Sequence, residues 1–303
     1  MQQASGSLVR FDRVSKRFGA RVALDALSFS VERGEVVALL GPNGAGKSTT
    51  FGLMLGHLAP SAGTVSLHGW SVMRARRRAL ARTGAVPESP ALYDYLTGFE
   101  NLCCLARYSG PVDYAAVHEA IAFVGLGGRI DDRVRTYSRG MRQRLALAQA
   151  LVPAPDLVLL DEPAEGLDPE AIAAIHDLVL RLKRERGITV VIASHLLAEA
   201  EVVADRVMVL DAGRLVFAGV VGDRERRRLR LDLDDWGRAQ PALRAAGATP
   251  IGGDLVELGS GADPSDLVAA LVADGVRVRA VEPLRRSLAE LYRDVIASAR
   301  GRS

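Results

Sequence analysis

Val36-Val-Ala-Leu-Leu-Gly-Pro-Asn-Gly-Ala-Gly-Lys-Ser-Thr49 passes from five apolar residues, through a glycine-rich turn, into a run that reads as a helix start. The apolar part predicts a short strand buried on both faces. The turn and helix start, Gly41, Pro42, Asn43, Gly44, Ala45, Gly46, Lys47, Ser48 and Thr49, match the pattern G-x-x-x-x-G-K-[ST]. Its glycines let the backbone curl so that successive N–H groups face one bound phosphate, and the helix beginning near Lys47 adds its positive end. The pattern assigns Lys47 to the β- and γ-phosphates of a nucleotide and the Ser48 hydroxyl to Mg²⁺. The plain alternative is a glycine-rich turn. The strand before, the helix after and the Lys-Ser pair argue against it. An α/β fold around a nucleotide is the expectation.

Working outward, Asp156-Leu-Val-Leu-Leu-Asp-Glu162 reads as a second apolar strand, ending in two carboxylates. Unpaired buried charge is expensive, so paired acids at the end of such a strand need a use. Asp161 is placed to hold Mg²⁺ through water, and Glu162 to polarise an attacking water. By themselves the same acids also read as a cap for the next helix. Tyr137-Ser-Arg-Gly-Met-Arg-Gln143 leads into the helical run Arg144 to Leu151 and places Ser138 and Gly140 at a helix N-terminus, a second anion-binding feature.

Taken together, these segments resemble the Walker A, Walker B and signature sequences of ABC-type ATPases, in an unbroken order from Leu8 to about Gly219. The resemblance implies an α/β core with an antiparallel β-subdomain and a helical subdomain, the latter from about Pro90 to Arg135. It also implies roles for single residues. Phe18 corresponds to the aromatic that stacks on adenine, although it also reads as an apolar turn residue. Asp168 in Gly166-Leu-Asp-Pro169 corresponds to the loop that joins two halves of a dimer. His195 corresponds to the switch histidine at the γ-phosphate. Two departures narrow the branch. Glu88 in Ala85-Val-Pro-Glu88 stands where the family usually has Gln; a carboxylate still coordinates Mg²⁺ but cannot donate a hydrogen bond. Arg139-Gly-Met-Arg-Gln143 replaces the usual Gly-Gly-Gln ending. Both resemble the exporter branch that pairs with ABC-2-type permeases.

The rest of the 303 residues fits that reading. Apolar residues make up 49% of the chain, enough for two cores. Domains are expected at 1–222, the ATP-binding unit, and 223–303, a small α+β extension for dimer contact or regulation. The Arg-rich stretch from Gly222 to Arg228 is the expected linker, and Leu288 to Ala299 the closing helix. Net charge is only +3. The lysines are Lys16, Lys47 and Lys183, so arginine supplies the remainder of 39 basic residues, and with 5% aromatics no nucleic-acid partner is expected. Cys103 and Cys104 are adjacent and read as core residues of a helix rather than a metal or disulfide site. The start, Met1 to Ser7, lacks a basic and apolar leader, and no apolar run reaches spanning length. A cytoplasmic chain, held at the membrane by separate permease subunits, is therefore expected.

The resemblance implies an ATP- and Mg²⁺-dependent hydrolase. Two copies would close head to tail on two ATP molecules and drive transport in the direction of export, with Tyr93 to Asn101 as the coupling surface. The rivals are a soluble ABC ATPase acting on nucleic acid or ribosomes, and a module that holds nucleotide without turnover. One cassette without coiled-coil insertions disfavours the first, and intact Glu162 and His195 the second.

Overall fold

The computed structural model describes residues 7–108, 110–221, 228–259, 262–284, 288–290 and 292–293. The chain divides into two compact units between Gly219 and Val220.

The first unit begins with the long strands β1 (Ser7–Phe18) and β2 (Arg21–Glu32), then β3 (Val36–Leu40) and α1 (Lys47–Met54). It continues through β4 (Ala62–Leu67), β5 (Trp70–Ser71), α2 (Arg76–Leu80) and β6 (Thr83–Val86) to the helices α3 (Gly98–Ala106), α4 (Tyr114–Val124) and α5 (Arg139–Leu151). It closes with β7 (Leu157–Asp161), α6 (Pro169–Arg186), β8 (Thr189–Ser194), α7 (Leu197–Val203), β9 (Arg206–Asp211) and β10 (Arg214–Val220).

Two sheets result. β2-β1-β4-β5 is antiparallel, and it packs through Leu8, Phe11, Leu24 and Leu27 onto the same apolar cluster as Phe51 of α1. The second sheet runs β10-β9-β3-β8-β7-β6, and β9, β3, β8, β7 and β6 are all parallel. Every residue of β3 and β8 is buried, as a parallel sheet covered on both faces requires. Helices α3, α4 and the front of α5 form the helical part around Leu102, Val117, Ile121 and Leu145. Cys103 is buried on α3 and both cysteines are free thiols.

The register matters most for function. Leu40 pairs with Ser194, and Asp161 pairs with Ala193. The loops that leave β3, β8 and β7 therefore start from neighbouring strands at almost one level. That is the carboxyl end of a parallel sheet, where open α/β folds place their ligands.

The second unit reads β11 (Arg228–Leu233), α8 (Trp236–Ala245), β12 (Ala248–Gly252), β13 (Leu255–Leu258), α9 (Pro264–Ala273) and β14 (Val278–Leu284). Its sheet order, β12-β13-β11-β14 with antiparallel neighbours, is a split β-α-β arrangement. Strict alternation in β11 turns Leu229, Leu231 and Leu233 inward. From the sequence, Val276 to Val281 reads as a strand, whereas β14 begins at Val278, and no pattern announces β12. Residues 222–227 of the expected linker lie outside the described residues, and Arg228 belongs to β11. Of the expected closing helix, 288–290 and 292–293 are helical, and the remainder lies outside the described residues.

Candidate active site

The phosphate loop is built by steric demand. A Cβ on Gly41 would lie 2.5 Å from the Leu210 carbonyl oxygen, and Gly46 has φ 113° with Leu24 Cδ2 2.6 Å from where its Cβ would be. Gly46 caps α1 without any side-chain acceptor, and no acidic residue occupies the first turn. The first N–H groups of α1 are thus left for an anion. Ser48 is exposed on that turn, and Thr49 is half-buried beside it.

Lys47 is buried, and its Nζ donates to the Gly41 carbonyl at 2.7 Å. Across the strand ends it pairs with Glu162 Oε1 at 3.3 Å. The other carboxylate oxygen, Oε2, contacts His195 Nδ1 at 2.8 Å and accepts from the His195 backbone N–H at 3.2 Å. One carboxylate therefore joins the loops of β3, β7 and β8. Glu162 holds this position with φ 46°, a left-handed backbone rare outside glycine. That conformation costs about 1–3 kcal/mol and needs its surroundings to impose it. Here the Glu162 N–H is tied to the Ala193 carbonyl at 2.9 Å.

Asp161, one residue earlier, has a buried Oδ1 with no hydrogen-bond partner. Burial, then the nearby Glu162 and Glu88, push its pKa up to about 6, while Lys47 opposes the shift. An orphaned carboxylate oxygen among three acids fits a divalent cation, which takes one or two protein oxygens and fills its remaining positions with phosphate and water. Asp161, exposed Ser48 and exposed Glu88 are suitable oxygen donors for it.

Ser138 caps α5 by accepting from the Met141 N–H at 3.2 Å. A Cβ on Gly140 would meet Ala171 of α6 at 2.9 Å, and Arg139 packs against Gly166. These contacts lie on α6 and the loop before it, not on the phosphate loop of the same chain. Asp168 caps α6, accepting from the Ala171 N–H at 2.8 Å. Phe18, 47% exposed with Lys16 Nζ 4.9 Å from its ring centroid, ends β1 opposite Arg21. Arg21 in turn stands 3.8 Å from where a Cβ of Gly44 would be, so this hairpin end flanks the phosphate loop.

Two buried polar residues next to this cluster are not legible in the sequence. Ser194 Oγ donates to Glu199 Oε2 at 3.0 Å and accepts from the Leu196 N–H at 3.0 Å. A glutamate inside a short helix gives no sign in sequence that it points inward.

This fold, with a phosphate loop facing a strand-end carboxylate, defines a P-loop nucleotide hydrolase. The family model for ABC transporters matches residues 24–165. The uncharacterized ABC transporter ATP-binding protein YhcH of Bacillus subtilis (strain 168) is 43% identical over 210 residues, 69% of either chain. Nod factor export ATP-binding protein I of Burkholderia lata is 42% identical over 214 residues, 70% of either chain. Among solved structures, the dimeric post-hydrolysis state of the ATP-binding cassette MJ0796 bound to ADP and Pi superposes with TM-score 0.63 at 25% identity, covering 70% of this chain and 98% of that one.

The chain belongs to the family of ABC transporter ATP-binding proteins. It is the ATP-binding, ATP-hydrolysing subunit that energises transport through membrane permeases, and its relatives speak for transport rather than for work on nucleic acid. Among the described residues no helix is long and apolar enough to cross a membrane.

Proposed function

We propose that two copies of this chain close head to tail on two Mg-ATP molecules and drive export through a separate ABC-2-type permease, from the cytoplasmic face. The observation that carries the chemistry is the bridge from Lys47 through Glu162 to His195. A γ-phosphate entering between these loops competes with Glu162 for both partners. Lys47 and His195 then stabilise phosphate charge, and the released Glu162 carboxylate orients a water for in-line attack. Ser48, Asp161 and Glu88 would hold Mg²⁺, which when bound would neutralise charge on the phosphate oxygens. Phe18 offers a face for adenine.

The head-to-tail arrangement is supported by Ser138 and Gly140, whose contacts in their own chain lie away from the phosphate loop, and by the dimeric relative. Export is supported by the printed function of the Burkholderia relative. Coupling is assigned to Tyr93 to Asn101. The Val134 N–H donates to the Leu96 carbonyl at 2.9 Å, and Arg142 of α5 pairs with Asp94 at 2.7 Å. Movement of this segment, which is exposed at Asp94, Tyr95 and Glu100, is thus handed to the helix that begins after Ser138.

The test is ATP turnover by the purified chain, wild type against Glu162→Gln, with oligomeric mass read with and without Mg-ATP. Loss of turnover together with a trapped ATP-bound dimer is expected. A monomeric mutant with unchanged turnover would overturn the mechanism.

A further inference from the structure

Behind the turn that carries His195 lies a cavity of about 10 Å³, lined by Ala38, Pro163, His176, Ile192, Ser194 and Glu199 among others. The chemistry proposed above leaves this cavity unused, yet it holds two unusual groups. Glu199 is 7% exposed, and its Oε1 is buried with no hydrogen-bond partner. His176 on α6 likewise has a buried Nε2 without a partner. The lining is otherwise mostly aliphatic, so no other side chain there satisfies them. Leaving one such atom unmade costs about 1–3 kcal/mol, which makes two on one cavity a signal rather than an oversight. The cavity wall is apolar, so neither atom finds a partner in it, and Glu199 is fixed through its other oxygen.

The second Glu199 oxygen is committed. It accepts from Ser194 Oγ, and that same Oγ receives the Leu196 N–H, so the hydroxyl clasps the chain on both sides of His195. His195 in turn meets Glu162 Oε2 through both its backbone N–H and its ring. A shift of the clasped turn disturbs both contacts at once.

We propose that Glu199 is the positioning residue for His195: buried with one oxygen unpaired, it locks Ser194 through the other and thereby the turn that presents the imidazole. This rests on the role given to His195 above.

The experiment measures kcat and KM for Mg-ATP on the full chain, with melting curves to confirm folding, for His195→Ala, Glu199→Ala, Glu199→Gln and Ser194→Ala. Since misplacing a catalytic group by about 1 Å costs up to ~100-fold, Glu199→Ala and Ser194→Ala should each lower kcat roughly 10-fold with KM within about 2-fold. Glu199→Gln still accepts from Ser194 and should recover kcat to within about 3-fold of wild type, a split that bulk destabilisation does not produce. Folded Glu199→Ala with wild-type kcat, or a Gln variant as slow as Ala, overturns the proposal. If Glu199→Ala does not fold, Ser194→Ala decides, and an unchanged kcat in it overturns the proposal. Should His195→Ala itself keep full turnover, the fault lies with the reading of His195; if it loses turnover while both clasp variants keep theirs, the fault lies with this inference alone.

Discussion

Glu199 also makes a prediction at the scale of one residue, about stability. Burial raises its pKa, with Glu162 and Glu165 acting the same way and the Ser194 hydrogen bond and His195 opposing. A carboxyl whose folded pKa is raised contributes its full stability below the ordinary carboxylate range and loses it as pH rises through the folded value. Glu199→Gln removes that loss. Its melting temperature should therefore gain on wild type as pH is raised from about 4 toward neutrality, and a difference that stays constant with pH would contradict it. The residues of the site differ in how far sequence discloses them. Gly41 to Thr49, Asp161 and Glu162 announce themselves because strand, loop and helix start are local in the chain. The Lys47 to Glu162 pair, the left-handed backbone of Glu162 and the Ser194 to Glu199 clasp are products of strand neighbours, and no spacing in the sequence encodes them.

Among elements, α3 shows how a local signal survives folding. Thr97 accepts from the Glu100 N–H at 3.1 Å and Glu100 returns a bond to the Thr97 N–H at 2.8 Å, the capping box that the residues Thr97 to Glu100 suggest. Removing the hydroxyl with Thr97→Ala should cost about 1 kcal/mol, read as a lower denaturant midpoint at unchanged slope. A larger loss with a changed slope would mean that the box holds more than its own helix. By contrast β12 is illegible. Ala-Thr-Pro-Ile-Gly contains a proline and a glycine, and only Ala248 is buried, so there is neither alternation nor an apolar run to read. Pairing with β13 makes it a strand, through Thr249 with Glu257 and Pro250 with Val256. Helix limits are easier to read because caps fix them: Asp235 and Asp263 accept from the first N–H groups of α8 and α9.

At the scale of the whole molecule, the second unit has its own apolar cluster, centred on Leu231, Leu243, Val256 and Leu267 and separate from the two clusters of the first. Leu231→Ala should destabilise that unit by about 2–5 kcal/mol. Calorimetry should then show one melting transition lowered, with the Mg-ATP-stabilised transition unmoved; a common shift of both would show the units unfold together. Composition and motif order lead to the expectation of two units with the nucleotide motifs in the first. They do not reveal strand order, since that is decided by which apolar surfaces meet. The order has a consequence for biosynthesis. β3, the strand beneath the phosphate loop, pairs only with β8 and β9, so Val36 waits for Val190 and Val37 for Arg206. At ~5–20 residues per second a ribosome needs roughly 8–30 s to supply those partners. For that interval a fully apolar strand emerges with both hydrogen-bonding edges bare, open to wrong pairing while the chain is still being made.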